Sequence, residues 1–432
     1  MPTVYENWGF HANPFTTSPL EATEQGEKLL VGRSTELTSL MLRLENGPKI
    51  PTVEGGIGAG KTSLVNIAAY KLMRAYATQQ SKVLFLPCRR AFQLASRDSA
   101  EDLTNNVIRE VAQTLIEKAE EFQMLGHELK DHRALNKWLN SPTFTSVQGG
   151  LQVLVAGISG GKSTSQNTGE GFDRSGFRKL VCDWLEEIFP NRQGGVVCII
   201  DNMELLQESS DAKQAIEFLR DELLTVHGLK WVLCGANGII QSVVASPRLD
   251  GVLFSPLAVG GIPEDLIAEV YRSRVDAFEN FTGSGKLPIT VAAFEVLYEA
   301  LNRNLRSLLS KADDYCLHIA DLGMFPDSDD EKDSQFFKWF DREAENAAKA
   351  VESQLRPRAW QIFDAAIKFG GQFSPSDYEA FGCASPMALR PQVKDLEDAG
   401  LLESARDEND QRRRSITITS KGFMVNYHRQ KS

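Results

Sequence analysis

Glycines, a lysine and a hydroxyl stand at the spacing GxxxxGK[ST] in Gly55-Gly56-Ile57-Gly58-Ala59-Gly60-Lys61-Thr62. The chemistry of that spacing is phosphate binding. Glycines let successive backbone N–H groups turn inward around a β-phosphate, and the N-terminus of the following helix adds positive potential. Lys61 then reaches the β- and γ-phosphates, and the Thr62 hydroxyl holds Mg²⁺. The helix is written next: Leu64, Ile67, Ala68 and Leu72 fall on one face. Gly55, Gly58, Gly60, Lys61, Thr62 and Ser63 are therefore candidate ligands of ATP and its Mg²⁺. Pro51 lies just ahead of the loop, where a central strand wants an N–H, so the strand leading in must be short.

The other candidates lie downstream. Val196-Val197-Cys198-Ile199-Ile200-Asp201 is an apolar strand ending in a carboxylate, which sets an acid beside Mg²⁺ at the sheet edge. Asn202 follows where many ATPases carry a water-activating glutamate, so either hydrolysis is slow or the nearest acid, Glu204, is the base. A second strand, Lys230–Cys234, runs into Gly235-Ala236-Asn237, where Asn237 could sense the γ-phosphate. Arg248, in Ser246-Pro247-Arg248-Leu249, could act in trans as an arginine finger in a neighbouring subunit. Arg306, within Leu301–Leu309, could reach back to the γ-phosphate from a helical lid. Ala156–Ser163 nearly repeats the phosphate motif but lacks its first glycine and a following helix, so it is not a second site. His127 and His132 lie about 140° apart on a helix, which excludes an HExxH zinc site.

The elements that must position these residues read as several domains, as 432 residues suggest. With 42% apolar and 24% charged residues the chain is globular, and its net charge of −11 excludes non-specific coating of nucleic acid. Six cysteines, none in a close CxxC pair, read as buried thiols. No leader pattern and no run of 18 uncharged apolar residues appears, so a cytoplasmic protein without a membrane span is expected.

The expected fold class is α/β: a three-layer P-loop core, a small helical lid and a C-terminal winged helix-turn-helix. Residues 1–27 read as a strap packed on the core through Trp8, Phe10 and Phe15. The core spans 28–261 with strand candidates Lys82–Leu86, Val196–Ile200 and Lys230–Cys234, and with a Gly/Ser/Thr-rich hairpin insertion at about 141–172. Helical patterns fill 262–323; residues 324–356 read as an acidic linker, Asp327–Asp333, and a connecting helix around Phe336–Gln354. From 357 to 432 the order is three helices, two strands flanking the charged turn Asp407–Arg414, and a short tail.

This order of parts resembles the AAA+ ATPases of the origin-recognition and archaeal replication-initiator type. The resemblance is carried by Leu30–Leu37, the phosphate loop, the strand ending in Asp201, Gly235-Ala236-Asn237, Ser246-Pro247-Arg248, Glu269–Arg274 and Asn304-Leu305-Arg306. The opening Trp8-Gly9-Phe10 with Asn13-Pro14-Phe15 is also similar to bacterial transposition- and secretion-associated relatives. The resemblance implies that Val31, Gly32 and Arg33 lie near the adenine and that Asn237 and Arg306 are the two γ-phosphate sensors. It further implies an ATP-driven switch that self-associates on double-stranded DNA, with partner proteins, in replication, recombination or transposition, or defence. Asn202 and the insertion depart from that family's pattern.

For DNA, Leu389, Val393 and Leu396 mark the buried face of a recognition helix, leaving Arg390, Gln392 and Lys394 outward, with Pro391 interrupting the helix or delaying its start. Arg412, Arg413 and Arg414 form a basic wing suited to phosphates. Two other readings remain open: a STAND-type signalling NTPase whose winged helix makes protein contacts, and a nucleotide-locked scaffold.

Overall fold

The computed structural model describes the chain except at residues 1, 94–99, 125–128, 130–131, 140–142, 148–161, 167–176, 191–192, 204–215, 236–238, 374, 407–413 and 432. Its strands in chain order are β1 (Thr52–Glu54), β2 (Phe85–Pro87), β3 (Phe92–Gln93), β4 (Thr143–Val147), β5 (Lys162–Gln166), β6 (Gly195–Asp201), β7 (Leu229–Gly235), β8 (Leu257–Ala258), β9 (Gln372–Phe373), β10 (Leu402–Arg406) and β11 (Arg414–Ile418).

A parallel sheet runs β2-β6-β7-β1-β8, with β3 continuing beside the end of β6. A parallel sheet must be covered on both faces, and alternation along each strand divides the cover. Val53, Val197, Ile199, Val232 and Cys234 pack against Leu40 and Leu44 of the helix Ser34–Asn46 and Leu64 and Ala68 of the helix Lys61–Ala77. Cys198, Ile200 and Leu233 face the other way, onto Val107 and Val111 of the helix Ala100–Glu117 and Trp184 of the helix Phe177–Ile188. This is the α/β layout expected from the sequence, a parallel sheet covered by helices on both faces, with β7 lying between the phosphate-loop strand β1 and the acid-ended strand β6. Strand β1 is indeed short: Pro51 offers no N–H but its carbonyl still accepts from Leu233 at 3.1 Å.

A second core gathers the helices Ile267–Phe278, Val291–Ala300 and Leu305–Leu322 around Phe294, Tyr298 and Tyr315. The strap corrects one expectation. Tyr5, Phe10 and Phe15 are buried in this helical core rather than on the sheet domain, Phe15 stacking with Phe294 at 5.8 Å. The strap reaches the sheet domain through polar contacts: Leu20 N–H donates to Ser63 Oγ at 3.0 Å, and Glu27 pairs with Lys71 at 2.7 Å and Arg74 at 2.9 Å.

The acidic stretch is a second correction. Asp329, Asp330 and Glu331 are not linker but the first turn of one long helix, Asp329–Glu352, capped by the Ser328 side chain. Carboxylates at a helix N-terminus complement its dipole, so the charge run is a start signal.

The C-terminal segment forms a third core from the helix Pro357–Lys368, a 3₁₀ segment Pro375–Phe381, the helix Pro386–Asp398 and an antiparallel sheet β10-β11-β9. The expected short tail is instead a helix, Ser420–Lys431, which packs along Asp329–Glu352: Phe340 and Tyr427 rings lie 4.7 Å apart and Tyr427 donates to Asp341 at 3.0 Å.

Within the expected insertion, β4 and β5 pair antiparallel. Lys162 and Ser163 stand in β5, a strand and not the start of a helix; Leu151–Val155 and the rest of the near-repeat lie outside the described residues, as does His127. Among the described residues no helix is long and apolar enough to cross a membrane.

Candidate nucleotide site

The phosphate loop leaves β1 and closes on itself. Gly58 (φ 80°) and Gly60 (φ 89°) hold left-handed backbone, which only glycine adopts without strain, and Gly60 caps the helix Lys61–Ala77. Lys61 is buried, and its Nζ donates to the carbonyls of Gly55 at 2.8 Å and Gly56 at 3.1 Å. The ammonium is thus held over the loop that would receive phosphates. Thr62 Oγ1 donates to Asp201 Oδ2 at 2.5 Å across the step from helix to β6. Asp201 is buried, and its Oδ1 accepts from the Asn202 N–H at 2.9 Å. Mg²⁺ takes one or two protein oxygens together with phosphates and waters, and this hydroxyl–carboxylate pair supplies that number of hard donors.

The helical lid closes over the loop. Asn304 caps the helix Leu305–Leu322 by accepting from Ser307 N–H at 3.0 Å, while its Nδ2 donates to Ile57 O at 2.8 Å. Gly58 lies so near that a Cβ there would sit 2.7 Å from Arg306 Cβ. Lys61, Thr62, Ser63, Arg306, Val31 and Arg33 all line one pocket between core and lid, and Asp201 joins them through Thr62. Ser63 lines it but is engaged by the strap. Arg33 is buried and acts as a clamp, its Nη2 donating to Ala59 O at 3.1 Å and Gly260 O at 2.5 Å. Gly32 (φ 72°) lies against Ile262 and Leu266 at the entry to the lid and does not line the pocket.

Several wall residues were missed, the apolar Leu29, Ile262, Val270 and Leu309 and two polar groups among them. Thr17–Leu20 of the strap and Arg274 of the lid line the same pocket. Among the described residues, Arg274 is buried without an acidic partner. Its Nη1 donates to Pro14 O at 2.7 Å and Thr16 O at 3.3 Å, its Nε has no hydrogen-bond partner among the described residues, and burial pushes its pKa down to about 10. The available signal was an arginine in helical phase with the buried Ile267 and Val270.

Other candidates stand apart. Arg248 is exposed, away from the pocket, and donates to Glu217 Oε2 at 3.4 Å. Glu204 and Asn237 lie outside the described residues. Asn202 has φ 53°, a left-handed position that asparagine tolerates far better than glutamate.

In the C-terminal segment, Leu389, Val393 and Leu396 are buried and Arg390 and Lys394 exposed on the helix Pro386–Asp398. Two expectations change. Gln392 is half-buried with its Oε1 sealed and unpartnered, so it does not share the open face. Pro391 neither breaks the helix nor delays it, because helix formation starts at Pro386 and the carbonyl left without an N–H belongs to Met387, which is exposed to water. Arg414 opens β11 opposite Arg406; Arg412 and Arg413 lie outside the described residues.

No family model matches the chain, and no curated protein matches it. Among solved structures it is similar to the ORC2 protein of Aeropyrum pernix in ADPNP–ADP complexes, at 11% identity and TM-score 0.44, covering 98% of this chain and 99% of that one. It is similar to the Aeropyrum pernix ORC1 protein in complex with DNA, at 12% identity and TM-score 0.41, covering 95% and 97%. It is also similar to a Walker-type ATPase of Pyrococcus abyssi, at 13% identity and TM-score 0.44, covering 96% and 99%. Likenesses at this level carry no function across to this chain.

Proposed function

We propose that this chain is an ATP-dependent switch that binds ATP and Mg²⁺ between the sheet edge and the helical lid. The observation that carries the reading is the Thr62–Asp201 pair at the foot of a phosphate loop roofed by Asn304 and Arg306. Lys61 leaves the carbonyls of Gly55 and Gly56 for the phosphates, Thr62 and Asp201 hold the metal, and Arg306 meets the γ-phosphate from the lid. Mg²⁺, when bound, neutralises phosphate charge. The nucleotide state then sets the angle between lid and core, with Asn237 as a second sensor and Arg248 completing a neighbour's site in an oligomer. Binding of ATP to Lys61→Ala with wild-type affinity, measured by titration calorimetry, would overturn this site.

The C-terminal segment, in this reading a winged helix, binds duplex DNA through Arg390, Lys394 and the Arg412–Arg414 turn. Changing Arg412, Arg413 and Arg414 to Glu is expected to lower DNA affinity and flatten its salt dependence. An unchanged salt slope favours the signalling alternative, in which this segment works through protein contacts. One observation supports that alternative: Ser420 and Ser307 hydroxyls lie 2.5 Å apart, and Met424 is buried in the lid core.

A further inference from the structure

We propose that Glu54 is the carboxylate that activates water for ATP hydrolysis in this chain, an inference that rests on the ATP-binding reading above. Asn202 cannot remove a proton, and its left-handed backbone disfavours a glutamate in its place. Among the described residues, the buried carboxylates of the central strands are Asp201 and Glu54, the last residue of β1. Glu54 directly precedes Gly55, whose carbonyl receives Lys61, and its Cα pairs with Gly235 and Ala258 at the same sheet edge. One carboxylate oxygen accepts from Gln241 Nε2 at 3.2 Å; the other is sealed from solvent and has no hydrogen-bond partner among the described residues. A buried carboxylate oxygen left unpaired is costly, and such groups gather where function demands them.

Position and chemistry agree. β1 and β6 are two strand spacings apart, so Asp201 and Glu54 flank the phosphate loop at roughly 10 Å from each other. Asp201 faces the Thr62 side of the sheet, with Val197 and Ile199; Glu54, next to Val53 on its strand, faces the opposite side. One acid serves the metal and the other is free for water. In the step, the water oxygen bonds to the γ-phosphorus while Glu54 takes its proton. The bond from the γ-phosphorus to the bridging oxygen breaks, its electron pair leaves with ADP, and the proton passes on to the released phosphate. Gln241 is a positioning residue that orients the carboxylate.

The test uses the full chain with Mg·ATP and three readouts: the ATP dissociation constant, single-turnover conversion, and the identity of the nucleotide extracted after gel filtration. Glu54→Gln keeps the acceptor for Gln241. It is expected to bind ATP within about threefold of wild type, to lose turnover by about 100-fold or more, and to elute carrying ATP where wild type carries ADP. Gln241→Leu, which keeps Glu54, removes the donor that orients the carboxylate and is expected to slow single-turnover conversion by about tenfold while the ATP dissociation constant stays within about threefold of wild type. If wild type fails to bind ATP, the site reading falls and this proposal with it. If wild type binds ATP and Glu54→Gln turns over normally, or wild type does not turn over, the site stands and the role of Glu54 is overturned. An unchanged single-turnover rate in Gln241→Leu overturns it too, and that variant decides the matter should Glu54→Gln fail to fold.

Discussion

Gly58→Ala tests whether lid and loop close as one unit. Gly58 has φ 80°, and a Cβ there would lie 2.7 Å from Arg306 Cβ and 2.9 Å from Asn304 Oδ1. Left-handed backbone costs a residue with a Cβ about 1–2 kcal/mol. Without nucleotide the loop can relax out of that conformation, but phosphate binding demands it, so the cost appears in affinity. The clash also pushes the lid away and breaks the bond from Asn304 to Ile57 O, worth about 1 kcal/mol. Together these amount to about 2–3 kcal/mol, or roughly 30- to 150-fold weaker ATP binding. Gly60→Ala supplies the comparison, since Gly60 has φ 89° but nothing within 4 Å of its missing Cβ. It should show the strain alone, about 5- to 30-fold. Calorimetry on Gly58→Ala, Gly60→Ala, Asn304→Ala and the Gly58→Ala/Asn304→Ala pair completes the cycle, with Asn304→Ala costing less in the Gly58→Ala background. Equal losses at the two glycines together with strict additivity in the pair would refute the contact.

Three other perturbations follow from the same contacts. Arg274→Met removes the donor to Pro14 O and Thr16 O, so the strap should loosen by about 2–4 kcal/mol and residues near 14–20 should become cleavable under limited proteolysis; unchanged protection argues against the tether. Asn202→Glu places a glutamate at φ 53° and should cost about 1–2 kcal/mol without raising turnover, as read by thermal melting and phosphate release. Glu27 is held below the ordinary glutamate value of 4.5 by its hydrogen bond to Lys71 and the nearby charges of Lys71 and Arg74. Its contribution is therefore full above pH 4.5 and is lost as pH falls through the lowered folded value, so Glu27→Gln should flatten the fall in melting temperature below pH 4.5; an identical acid slope removes the pair from the account.

Local order was legible wherever the physics is local. The phosphate loop announces itself because successive N–H groups need glycines, and Pro51 announces a short β1 because it lacks a donor. Apolar, β-branched runs marked β6 and β7, which the sheet buries on both faces, and helical periods marked the helices Ala100–Glu117 and Phe177–Ile188, each of which buries one face. The acidic run at Asp329–Glu331 was misread because charge alone does not distinguish a solvated linker from a helix start; the Ser328 cap decides it.

What joins distant segments was not legible. Asn304 and Ile57 are 247 residues apart, Arg274 and Pro14 are 260, and no period or spacing relates them. The glutamate before the phosphate loop looks like any strand residue until the sheet order buries it and leaves one oxygen unpaired. By itself, the sequence determined that a phosphate loop, an acid-ended strand and a helical segment would exist, because backbone geometry and side-chain period are properties of a few neighbours. Only the tertiary structure decided that the lid rests on Gly58, that the strap joins the lid core, and that Arg274 and Glu54 end up buried and incompletely paired. Burial is a property of what packs against a residue, and that is set by the whole chain.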